Sequence, residues 1–170
     1  MSEAHISGLS RDGSSHVTDE RINTITSLVG SMISLLFSFI IIGRAIQHHD
    51  SWYQFVAVSI YVTGLVNLFV MSTLHHGLKV GQTAEKVFRT LDYTAIFWLI
   101  AGTITAVVAY RFENSYGVTV LAATWVLAAT GIALRASLPH LPKHITNTLF
   151  ITLGWLPAMA LLVQSSNLSV

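Results

Sequence analysis

Ser72, His76 and Asp92 place a hydroxyl, an imidazole and a carboxylate at the two ends of a short loop between long apolar runs. Ionisable groups at membrane depth are costly and usually functional. Ser72 and His76 are four residues apart, so on a continuing helix they share one face, a turn apart. Asp92 can approach them from the next helix. Such a set can form a Ser-His-Asp relay, with Ser72 and Asp92 in catalytic roles, or two corners of a metal site at His76 and Asp92. The plainer reading leaves His76 and Asp92 in interfacial water and Ser72 bonded to a carbonyl of the preceding turn. With no cysteine in the chain, a metal would have to be held by His, Asp or Glu.

The elements that must position these groups are membrane spans. The 170 residues are 52% hydrophobic and 10% charged, with a mean hydropathy of +0.62, a composition far more apolar than that of an ordinary globular domain. Apolar runs extend over about Thr24 to Gly43, Tyr53 to Leu74, Leu91 to Tyr110, Gly117 to Leu134 and Asn147 to Val163, each close to the length a helix needs to cross a bilayer. The expected fold is an all-α polytopic membrane bundle of about five transmembrane helices. Residues 1–18 read as a disordered cytoplasmic tail, and 19–170 as one transmembrane domain, its first helix opening at Thr18, Asp19 and Glu20. Gly102 and Ala106 form a small-x-x-x-small pair on the third span that permits close helix packing.

Seven basic residues (Arg11, Arg21, Lys79, Lys86, Arg89, Arg135 and Lys143) fall on one side of the predicted topology, and only Arg44 and Arg111 on the other. That bias puts the N-terminus in the cytoplasm and, after five spans, the C-terminus outside. Ser72, His76 and Asp92 then lie at the cytoplasmic face, while His48 and His49 lie opposite. His75, beside His76 on a helix, is expected to point to a different face as an interfacial group. His140 and His144 share the cytoplasmic side and are candidate substitute ligands, although Pro139 and Pro142 interrupt the helix that would align them. A net charge of +1 with scattered basic residues argues against a nucleic-acid partner. Membrane lipids are the expected partners.

The segments Asp19-Glu20-Arg21-Ile22-Asn23, Ser72-Thr73-Leu74-His75-His76, Leu91-Asp92-Tyr93-Thr94-Ala95-Ile96 with Ala101-Gly102-Thr103, and Leu153-Gly154-Trp155 resemble, in order, the hemolysin III family, grouped with the progestin and adipoQ receptors. The resemblance implies a seven-helix bundle in the plasma or inner membrane. It also implies a cytoplasmic zinc site built from the His of Ser-x-x-x-His, the Asp opening the third span, and a His-x-x-x-His near the last span. Ser72, His76 and Asp92 match the first two elements, and the final His pair has no counterpart in the 170 residues. The resemblance therefore implies a cytolysin with a partial zinc site, which a homo-oligomer could complete. It leaves open a zinc-dependent lipid amidohydrolase of ceramidase type, a receptor-like protein, or an inactive truncated fragment or scaffold. A pore would need a polar stripe along a span, and the five runs show no repeated charged or amide positions.

Overall fold

The structure is a computed structural model that describes residues 20–78, 80–112, 114–138 and 141–168. The described residues form five helices: α1 (Glu20–Gln47), α2 (Trp52–Gly77), α3 (Gln82–Arg111), α4 (Ser115–Ser137) and α5 (Lys143–Leu168). All five are long and apolar enough to cross a membrane. Thr18 and Asp19, expected to open the first helix, lie outside the described residues.

Each helix extends beyond its apolar run. The largest difference is at α3, which begins at Gln82 rather than near Leu91 and shortens the loop after α2 to residues 78–81. Hydropathy sees only the stretch that meets hydrocarbon, whereas Glu85, Lys86 and Arg89 are good helix formers that continue the same helix toward water. Asp92 therefore sits in the third turn of α3, on regular backbone.

Antiparallel packing follows from the short connections. Helix α3 lies at the centre, against α2, α4 and α5, and α1 packs on the far side of α2. The close α2–α3 approach depends on Gly102, where an added Cβ would stand 3.2 Å from the Tyr61 Cα. The small-x-x-x-small pair thus brings two helices of the same chain together. Gly64 admits the Trp98 indole in the same way. Between α1 and α2 the contact is polar: Ser27 donates to Ser72 at 3.0 Å, and Ser31 lies 3.4 Å from Thr73. The opposite side of α1 exposes Leu28, Met32, Leu36 and Phe39, as a lipid-facing surface must.

The turns are held by their own side chains. Gln54 accepts from the Ser51 N–H at 3.1 Å and donates to the Ala109 carbonyl at 3.3 Å, fixing the start of α2 against the end of α3. Asn114 caps α4 by accepting from the Gly117 N–H at 2.9 Å. His48 and His49 are exposed in the α1–α2 loop, where His49 adopts a left-handed φ of 53°.

Between α3 and α4, the Trp125 indole N–H donates to the Thr105 hydroxyl at 3.0 Å, and Thr105 is buried. Thr105→Val preserves the shape but leaves that donor unpaired. We expect it to cost about 0.5–2 kcal/mol, read as a lowered unfolding midpoint in detergent.

Candidate metal centre

The last turn of α2 and the third turn of α3 meet beside the first turn of α1. His75, His76 and Asp92 each offer a ligand atom there, and these atoms lie within 4.8 Å of one another. Around them stand two supporting groups. Glu20 Oε2 is 2.6 Å from His76 Nδ1, and Ser72, one turn before His76, accepts from Ser27 at 3.0 Å.

The structure thus brings together Ser72, His76 and Asp92, the set that spacing on the helices suggested. It corrects the expectation for His75. That residue is 3% exposed, one of the most buried polar groups of the protein, and its ring centroid is 4.7 Å from that of His76. Successive helical residues diverge by about 100° in direction, but an imidazole carries its nitrogens far enough from the backbone for two neighbours to reach one point. Ser72 also departs from its plainer reading, since its hydroxyl accepts from Ser27 across the α1–α2 contact. His144 is exposed in the first turn of α5 and is not part of the group. His140 lies outside the described residues.

Glu20 is the site residue that sequence reasoning missed. It belongs to the Asp19-Glu20-Arg21 segment and was read only as a helix start, yet it is the first-turn carboxylate of α1 that reaches His76. A carboxylate on one imidazole nitrogen orients the ring and makes the other nitrogen a better metal donor.

The donor set suits a borderline metal ion. Two imidazoles and a carboxylate are ligands that zinc accepts, and three protein ligands with an open position are the pattern of zinc sites that do chemistry. Ligand atoms around a tetrahedral zinc lie about 3.3 Å apart, as bond lengths near 2.0–2.1 Å require. Atoms within 4.8 Å of one another need to close by at most about 1.5 Å to reach that spacing.

Five apolar spans and a compact group of metal-ligating side chains at one end of the bundle define a polytopic membrane protein with a candidate metal centre. The haemolysin-III related family matches residues 15–169, and the chain belongs to that family. It is similar to Hemolysin-3 of Bacillus cereus, with 31% identity over 153 residues that cover 90% of this chain and 69% of the relative. It is also similar to the Hemolysin-3 homolog of Bacillus subtilis (strain 168), at 26% identity over 90% of this chain and 71% of the relative. No solved structure matches it significantly.

Proposed function

We propose that this haemolysin-III-type membrane protein holds a zinc ion at the cytoplasmic face through His75, His76 and Asp92. The observation that carries the reading is the mutual approach of these three donors within 4.8 Å, at the end of the bundle where the basic residues Lys86, Arg89 and Arg135 also gather. By the positive-inside bias that end faces the cytoplasm, with the N-terminus inside.

Bound zinc supplies Lewis acidity toward a carbonyl or phosphoryl oxygen. The chain's own groups do the rest. Glu20 holds the His76 ring, Ser72 ties the end of α2 to α1 through Ser27, and the Asp92 oxygen not on the metal is the one placed to take up a proton. Hydrolysis of a lipid amide is a chemistry open to such a set.

The test is zinc content per chain of the purified protein in detergent, beside His76→Ala. About one zinc per chain, lost in the variant, supports the site; wild-type protein without zinc after loading and desalting removes it. Glu20→Gln tests the supporting carboxylate. We expect it to weaken zinc binding by about 10–100-fold, measured by competition with a chelator of known affinity.

Cytolysis is a second reading, favoured by the names of the two Bacillus relatives. Release of haemoglobin from erythrocytes by the purified protein tests it. Equal lysis by wild type and His76→Ala would separate lysis from the metal.

A further inference from the structure

A second polar site lies on the other side of α3. The Phe97 ring packs on Gly131 and is centred 4.5 Å from the Phe150 ring, which sets α3, α4 and α5 in register. One turn closer to the Glu20 end, the same three faces carry Tyr93, Arg135 and Thr146. The Arg135 guanidinium lies 4.0 Å from the centroid of the Tyr93 ring, and its Nη1 donates to the Leu141 carbonyl at 3.2 Å.

Among the described residues, two buried polar atoms in this layer have no hydrogen-bond partner: Arg135 Nε and the Thr146 hydroxyl. Arg135 is only 5% exposed, and Thr146 only 1%. Other helical threonines, such as Thr105, Thr124 and Thr148, donate to the carbonyl four residues back. For Thr146 that carbonyl belongs to Pro142 and already takes the backbone N–H groups of Ile145 and Thr146. Arg89 stands four residues before Tyr93 on α3, and so on the same face, where it adds a second positive charge beside Arg135. Among the described residues, neither guanidinium is paired with a carboxylate. A buried cation without a counter-ion is strongly unfavourable, and two neighbouring guanidiniums repel unless an anion lies between them.

We propose that Arg135, Arg89 and Thr146 form a binding site for a phosphate group, supplied in the membrane by a phospholipid headgroup. Arginine forks match phosphate oxygens with paired hydrogen bonds, and a hydroxyl adds a further donor. The layer sits at the ends of spans, where basic pockets between helices meet headgroups. It is distinct from the metal centre, because Tyr93 leaves α3 toward Arg135 of α4 while Asp92 leaves it toward His75 and His76 of α2.

The experiment uses the full chain, delipidated in detergent, with lipid adducts counted by native mass spectrometry. The probes are dioleoylphosphatidylglycerol, dioleoylglycerol with the same acyl chains and no phosphate, and inorganic phosphate. We expect Arg135→Met to weaken phosphatidylglycerol binding at least tenfold, Arg89→Met to weaken it several-fold, and neither to change dioleoylglycerol binding. Inorganic phosphate at millimolar concentration should not displace the lipid. Unchanged phosphatidylglycerol binding in Arg89→Met overturns the proposal even if Arg135→Met fails to fold. An equal loss of dioleoylglycerol binding also overturns it, since the defect would then be in acyl packing. Displacement by inorganic phosphate overturns the lipid as the source.

Discussion

A His76→Ala protein is expected to bind zinc roughly 100-fold more weakly than the wild type, a loss of the order that one ligand represents in a small zinc site. His76 sits at the middle of the polar cluster: Glu20 is on its Nδ1 at 2.6 Å, and Asp92 faces it from α3. Removing it takes away a donor and leaves Glu20 without the ring it orients. His75→Ala should cause a loss of similar size, because His75 is a member of the same group. His144→Ala should leave zinc affinity within about twofold, since that side chain is exposed and outside the group. Competitive titration against a chromogenic chelator measures all three. A loss in His144→Ala larger than in His75→Ala would assign the third ligand to α5.

The second large effect is expected at Gly131. A Cβ built there would stand too close to Cε1 of the Phe97 ring for any real contact. That ring is 1% exposed and is held from the other side by Phe150 at 4.5 Å. Phe97 can withdraw only by displacing Phe150, so Gly131→Ala pushes α4 away from α3 or shifts both rings. Overpacking of this kind costs about 1–3 kcal/mol. It should lower the unfolding midpoint in detergent more than Thr105→Val does, and also loosen the layer that holds Tyr93 and Arg135. Phe97→Leu in the same chain should recover part of the loss. A Gly131→Ala protein as stable as wild type would mean that α3 and α4 do not pack this closely.

Most of the architecture could be read from hydropathy, because each span announces itself as about 20 residues with at most one charge, Asp92 in the third. The ends could not. Helix α3 begins nine residues before its apolar run, and nothing in a hydropathy pattern separates a solvated helix turn from a loop. The pairing of His76 with Asp92 was legible for a simple reason: a short loop between antiparallel spans brings the end of one beside the start of the next. His75 was misjudged because helix geometry assigns directions to Cα–Cβ bonds, while a metal site is decided by where ring nitrogens end up. Glu20 was out of reach for another reason. It is 56 residues from His76, and only the packing of α1 on α2 makes them neighbours. The layer of Tyr93, Arg135 and Thr146 likewise depends on the register of three helices, which no local pattern encodes.

X-ray absorption at the zinc edge of the loaded, detergent-purified protein counts the imidazoles on the metal. With His75, His76 and Asp92 as the proposed ligands, we expect a shell of nitrogen and oxygen near 2.0–2.1 Å with outer scattering from two imidazoles, falling to one imidazole in His75→Ala. A spectrum with one imidazole in the wild type, or one unchanged by the loss of His75, would contradict this ligand set.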